Sequence, residues 1–196
     1  MTSMTSALPA PKNSHRTLLL LVAVFVLPFV IGTGLFWSGW RPEKFANHGE
    51  LLQPPRLLPE SGLSHADGRP LPTSELLGKW LLVMPVDQTC DATCQHNLQQ
   101  MRQVYIALNK EQSRLQRVFI SSGASDPAVE RMQQDFPDIV VASAMGTAWR
   151  SALDGNGQTI YVVDPLGNIM MRYGDPADMR GVLKDLERLL KYSWIR

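Results

Sequence analysis

Cys90 and Cys94 are the only cysteines in a chain of 196 residues, and they stand as Cys90-Asp91-Ala92-Thr93-Cys94. A four-residue spacing puts two side chains on one face when the segment is helical. At a helix N-terminus, unpaired N–H groups and the helix dipole favour the thiolate. Two thiolates placed there can close a disulfide, exchange one with a partner, or hold a soft metal such as copper(I). The competing readings are a pair of small buried hydrophobes and a static loop-closing disulfide. The polar neighbours Asp87, Gln88, Thr89, Asp91, Thr93 and Gln95 argue against a buried pair.

The elements around the pair follow from periodicity. The run KWLLVMPV over residues 79–86 is short, apolar and bounded by turn signals, as expected of a buried strand. Leu98, Met101, Val104, Tyr105 and Leu108 recur at helical spacing, predicting a helix over about 92–110. A second strand is expected at 115–121. Asp126-Pro127 reads as an N-cap and first helical residue, opening a helix that ends near Phe136-Pro137. A short strand at 139–142 and one or two helical turns at 146–153 follow. The segments 159–164 and 168–173 flank Pro165-Leu166-Gly167 and form a hairpin. Asp175-Pro176 repeats the cap signal before a terminal helix whose stripe is Met179, Val182, Leu183, Leu186, Leu189 and Leu190. Upstream, Asp67-Gly68 between Leu63 and Leu71 predicts a small hairpin, and Thr73-Ser74-Glu75 caps a short turn ending at Gly78. Alternating strands and helices with a closing antiparallel hairpin indicate an α/β fold, a thioredoxin-like mixed sheet flanked by helices.

The N-terminal part is of another kind. No charged residue lies between Arg16 and Arg41, and the 24 positions between them read TLLLLVAVFVLPFVIGTGLFWSGW. A bilayer core needs about 20 mainly apolar residues, so residues 17–37 form a single transmembrane helix whose partner is the lipid bilayer. Pro28 is tolerated there, and Trp37 and Trp40 suit the headgroup level. The alternative is a cleaved signal peptide with Lys12 and Arg16 as its charged region and Gly32 and Gly34 at the cleavage site. The run is too long for that, and bulky Leu35, Phe36 and Trp37 follow. Lys12 and Arg16 on one side nearly balance Arg41, Lys44 and Arg56 on the other, so charge only leans towards a cytoplasmic N-terminus. The expected organisation is a tail at 1–16, the span at 17–37, a proline-bearing linker at 38–60 and the thioredoxin-like domain at 61–196.

Composition excludes other classes. Nineteen basic residues are offset by 18 acidic ones, which argues against a nucleic-acid partner. Two cysteines are too few for a disulfide scaffold or a four-cysteine zinc site. There is no glycine-rich phosphate loop, His-Glu-x-x-His or Gly-x-Ser-x-Gly. The acidic residues read as solvated charge, as does the face of the terminal helix bearing Arg180, Lys184, Arg188 and Lys191.

Gly78-Lys79-Trp80-Leu81-Leu82-Val83, the Cys-x-x-x-Cys loop and Val163-Asp164-Pro165-Leu166-Gly167 together resemble the Sco (SenC-type) family over roughly residues 63–190. The resemblance implies a membrane-anchored thioredoxin fold that assists copper-site assembly in cytochrome c oxidase. It also implies a bacterial inner membrane with the domain in the periplasm, and Cys90 and Cys94 as redox pair or copper ligands. Oxidase subunits or other assembly factors would be its partners. Two departures stand out. The family usually has proline after the first cysteine, where this chain has Asp91. Its third copper ligand, a histidine before the penultimate strand, falls in Gly155-Asn156-Gly157-Gln158, and no histidine follows His96. His96 points away from Cys94 on a helix, His48 lies in the linker and His65 in the hairpin turn, all three read as surface residues. Met84, Met101, Met145, Met170 and Met171 read as core rather than as thioether ligands. Two further readings stay open. One is a membrane-tethered thiol–disulfide oxidoreductase, against which Gln158 stands where such enzymes carry a cis-proline. The other is a non-catalytic assembly partner that keeps the fold for its surface.

Overall fold

The structure is a computed structural model, and it describes residues 14–39, 47–65, 67–86, 90–121, 133–134, 137–144, 146–153, 159–174 and 176–193. Two compact units divide near residue 45. The first contains helix α1, Ser14–Trp37. His15–Trp37 is 23 residues long with a mean hydropathy of 2.7, and it is the one helix among the described residues long and apolar enough to cross a membrane. Leu19, Phe25, Phe29 and Phe36 are exposed on it, so the apolar surface is not confined to one stripe. A helix apolar all round is a candidate membrane span.

The second unit is built on one sheet of eight strands. They are β1 (Glu50–Leu57), β2 (Leu63–His65), β3 (Pro70–Leu71), β4 (Trp80–Val86), β5 (Leu115–Ser121), β6 (Ile139–Ala144), β7 (Ile160–Val163) and β8 (Asn168–Tyr173), in the order β1-β8-β7-β4-β5-β6-β2-β3. β4, β5 and β6 are parallel, with Trp80 opposite Leu115 and Val118 opposite Val140. β7 runs antiparallel to β4, and β8 to β7. This is the mixed sheet expected from the sequence. Helices α2 (Ala92–Ala107), α3 (Thr147–Ala152) and α4 (Met179–Tyr192) complete the described elements, with short 3-10 turns at Thr73–Glu75 and Asn109–Arg114.

Strand β4 shows why the sheet is covered on both faces. Its side chains alternate in direction, yet nearly all are buried. Trp80, Leu82, Met84 and Val86 join α2 and α4 in one core. Leu81 and Val83 join Trp149 of α3, Tyr161 and Leu63 in the other. Burying each such aliphatic side chain stabilises the fold by roughly 1.5–3 kcal/mol, which is why an uninterrupted apolar run marks a central strand.

Three boundaries differ from the sequence reading. Residues 50–57, expected in the linker, form edge strand β1, pairing antiparallel with β8 through Glu50–Arg172 and Leu57–Asn168. Prolines disguise it. Pro54 and Pro55 donate no ladder bond, and they fall where the register with β8 shifts, as an edge strand permits. β6 runs on to Ala144, because β2 pairs with its far end. Helix α4 has Asp178 as its N-cap residue rather than Asp175, which lies outside the described residues. The helix expected from Asp126 to near Phe136 also lies outside them, apart from helical residues 133–134.

Candidate functional site

Strand β4 delivers the chain to the cysteine loop, and α2 carries it away. Asp91 is the N-cap of α2. Its backbone is extended (φ −74°, ψ −175°), its carbonyl accepts the first helical bond from the Gln95 N–H at 2.9 Å, and its carboxylate Oδ1 accepts the Cys94 N–H at 2.8 Å. A capping oxygen of this kind satisfies one of the donors a helix leaves unpaired at its start. Cys94 is thereby the third residue of the helix, and Cys90 immediately precedes the cap. The Gln95 side chain donates to the Cys90 carbonyl at 3.3 Å, tying the entry to the first turn.

Cys90 and Cys94 are joined in a disulfide, with Cα atoms 5.2 Å apart, within the range a disulfide tolerates. The sequence reading of an accessible pair needs correcting. Cys90 is 6% exposed and Cys94 0%, and both belong to the core beneath α2 and α4. The polar residues of the loop are no guide here, because the face of α2 that carries Cys94 also carries Leu98 and Met101. Asp87, Gln88 and Thr89 lie outside the described residues.

The histidines fall in three places. His96 is exposed and shares a hydrogen bond with Gln100, Nε2 to Nε2 at 2.8 Å. His65 is half-buried in β2. His48 is more than the linker residue expected. Its backbone N–H donates to Asp185 Oδ2 at 2.8 Å, and its Nδ1 lies 3.2 Å from Oδ1. The Gly49 N–H and the Tyr173 hydroxyl donate to the same Oδ2 at 3.0 and 2.9 Å. Burial would raise the pKa of Asp185, but these donors outweigh it and hold the carboxyl below its usual range. Tyr173 moves the other way, its pKa pushed far up by burial and by the Asp185 charge. Gly49 and Gly181 are required by close approach. A Cβ on the first would meet the Tyr173 ring at 2.5 Å, and one on the second would meet His48 Cβ at the same distance.

Sequence reasoning missed this cluster by reading the acidic residues as solvated. Asp185 is 3% exposed. The available signal was its position three residues after Val182 and one before Leu186, inside the apolar stripe of α4. The strand register puts the cluster at the sheet end where the cysteine loop begins. β4 ends at Val86, β7 begins at Ile160 beside Tyr173, and Arg172 faces Glu50.

Among the described residues, no group of three His, Cys, Asp or Glu side chains is placed to hold a metal ion. Met84 and Met101 are fully buried in the core, and Met171 nearly so. Met145 and residues 155–158, where the missing histidine would fall, lie outside the described residues.

The family described as transmembrane-like, thioredoxin-like, C-terminal domain matches residues 80–193, more than half of the chain. No curated protein sequence matches it. Solved structures share the fold at low identity. Copper-bound yeast Sco1 superposes with a TM-score of 0.55 at 19% identity, over 69% of this chain and 95% of that one. A SCO1/SenC family lipoprotein from Bacillus anthracis gives 0.54 at 19%, over 70% and 98%. A candidate protein disulfide isomerase from Bacteroides thetaiotaomicron gives 0.56 at 12%, over 74% and 94%. The expected thioredoxin-like architecture is therefore the observed one.

Proposed function

Because the chain belongs to the family of transmembrane-like, thioredoxin-like C-terminal domains, we propose that it is a membrane-anchored, Sco-type assembly factor working by thiol–disulfide exchange through Cys90 and Cys94. Its partner is a copper enzyme under assembly, cytochrome c oxidase in the first instance, met on the periplasmic side of a bacterial inner membrane. The observation that carries this reading is the disulfide between the end of β4 and the start of α2. An oxidising compartment suits it.

The exchange needs no group beyond the pair and a partner dithiol. A partner thiolate attacks Cys90 Sγ, the less buried sulfur-bearing residue. The Cys90–Cys94 bond breaks, and its electron pair leaves on Cys94, which takes up a proton. The partner's second thiolate then attacks its own sulfur in the mixed disulfide and releases Cys90. Two electrons and two protons pass from the partner dithiol to the pair, leaving a partner disulfide. The reverse sequence reduces a partner disulfide.

Copper does not fit the described residues as a resident group. The two sulfurs are bonded to each other, His96 is engaged with Gln100 and His48 with Asp185, and among the described residues no group of three His, Cys, Asp or Glu side chains is placed to hold a metal ion. The yeast Sco1 structure is described with copper bound; here the fit supports exchange rather than carriage.

The test is complementation of a deletion strain with wild type and with the Cys90→Ser, Cys94→Ser double variant, reading oxidase assembly. Assembly is expected to fail in the double variant. Full assembly at normal variant abundance would leave a scaffold role and overturn exchange. In parallel, the reduced full-length chain in detergent is titrated with copper(I) against a competing chelator and examined with copper(II). Weak binding and no thiolate-to-copper(II) charge-transfer band are expected, since two thiolates hold copper(I) but copper(II) wants nitrogen or oxygen donors as well. Tight one-to-one binding with that band would restore copper carriage.

A further inference from the structure

At the end of the sheet opposite the cysteine loop, three turns meet. β1 ends at Leu57, the chain enters β4 through Leu77-Gly78-Lys79, and Pro165-Leu166-Gly167 joins β7 to β8. Backbone bonds hold the three together: the Leu58 N–H donates to the Gly167 carbonyl and the Gly78 N–H to the Pro165 carbonyl, both at 2.9 Å. Leu77 packs on Gly167, where a Cβ would stand 3.1 Å from its Cδ2. Each turn nevertheless presents a leucine to solvent. Leu57 is 69% exposed, Leu166 67% and Leu77 38%. A single exposed leucine needs no explanation, but three gathered from distant parts of the chain form a patch that does.

A groove of about 1130 Å³ adjoins the patch. Lys79 and Pro165 of these turns line it, with Lys110 and, at the end of α4, Lys191 and Tyr192. Arg114 also lines it but is committed to Glu111 at 2.8 Å and to the carbonyls of Leu190 and Ser193. That leaves three exposed lysines against one further lining carboxylate, Glu187. Trp80 is part of the wall, and its buried indole N–H has no hydrogen-bond partner among the described residues.

We propose that this end of the domain docks on an anionic phospholipid surface. Apolar tips beside lysines suit one: the tips enter the boundary of the acyl region, and the ammonium groups meet lipid phosphates. A protein partner would need a separate recess for each leucine, whereas a bilayer takes all three without one. The chain also brings a candidate span with it in α1. His48 is fixed to Asp185 at the cysteine end of the sheet, so the tether is residues 38–47, about ten residues that reach about 35 Å when extended. The 7 residues of β4 rise about 23 Å, so the tether is long enough for the far end to touch the bilayer. Docked in this way, the domain holds its cysteine loop away from the lipid, where a partner's thiols can reach it. That orientation serves the exchange reading, but docking does not depend on it.

The test follows amide hydrogen exchange by mass spectrometry in the full-length chain. The chain is reconstituted in nanodiscs of phosphatidylcholine alone and of equal parts phosphatidylcholine and phosphatidylglycerol. Exchange over residues 76–79 and 164–167 is expected to slow roughly three- to tenfold in the anionic discs, and the difference to fade as salt is raised. The start of α2 is expected to exchange alike in both discs. Two triple variants, Lys79→Glu, Lys110→Glu, Lys191→Glu and Leu57→Ser, Leu77→Ser, Leu166→Ser, should each lose the difference between discs. Their melting temperatures should stay near wild type, since none of the six residues is buried. Wild-type exchange within about 1.5-fold between the two discs overturns the proposal and leaves the patch to a protein partner. Slowing that reaches the start of α2 equally, or that both triple variants keep, overturns it as well. The Cys90→Ser, Cys94→Ser double variant should dock like wild type, so full oxidase assembly by that variant would refute exchange and leave docking standing.

Discussion

Replacing Asp185 with asparagine should unfasten the segment that enters the domain. The carboxylate accepts N–H donors from His48 and Gly49 and a hydroxyl from Tyr173, all on Oδ2 and all at 2.8–3.0 Å. Hydrogen bonds to a charged group contribute about 1.5–3 kcal/mol, against about 0.5–1.5 for a neutral pair. Losing about 1 kcal/mol at each of three bonds makes the expected destabilisation about 3 kcal/mol, which a unit of this size shows as a fall in melting temperature of about 6–12 °C. The pH dependence identifies the cause. Asp185 has a lowered folded pKa, so its contribution is present above the unfolded carboxyl value of about 3.9 and is lost as pH falls through the folded value. Tyr173 has a raised folded pKa, so its contribution is present below about pH 10 and is lost as pH rises beyond that. The gap between wild type and Asp185→Asn should therefore be constant from about pH 5 to 8 and should close below about pH 4. Near-UV circular dichroism melts of the full-length chain in detergent measure it. A difference under about 2 °C at pH 7, or one that persists unchanged at pH 3, would refute the reasoning.

Three further outcomes follow from other contacts. Asn97 is 3% exposed, and its Nδ2 has no hydrogen-bond partner among the described residues, so Asn97→Leu should raise the melting temperature, by about 1 kcal/mol of stability; a fall would mean that the amide is used. Arg117 is 1% exposed, lies over the Tyr105 ring at 5.0 Å and pairs with Asp138 at 2.6 Å. Asp138→Ala should cost about 2–3 kcal/mol by leaving a buried charge short of its partner, measured by the same melts, and a neutral result would show that solvent already screens the pair. Fused separately at the C-terminus, alkaline phosphatase should be active and green fluorescent protein dark; the opposite pattern reverses the proposed orientation.

What the sequence made legible was local. The β4 run, the α2 stripe and the hairpin around Pro165 each depend on a few neighbouring residues, and each formed where expected. The cysteine pair was legible for the same reason: its spacing and the helix start lie within a few residues. Burial of the pair was not legible, because loop polarity is a property of the loop, whereas burial is set by α2 and α4 packing on the sheet. β1 was hidden twice, by its prolines and by a partner strand more than 100 residues away.

The Asp185 cluster shows what such a reading needs in addition. His48 and Asp185 are 137 residues apart, and nothing near His48 announces a partner. Yet each participant breaks a local rule: a carboxylate in an apolar stripe, a glycine without a turn to serve at Gly49, another inside α4 at Gly181. Glycine in a helix interior costs about 1 kcal/mol relative to alanine, so it stands there in return for something, here the approach of His48. Asp91 breaks no such rule, because a carboxylate at a helix start both caps the first turn and suits the positive end of its dipole.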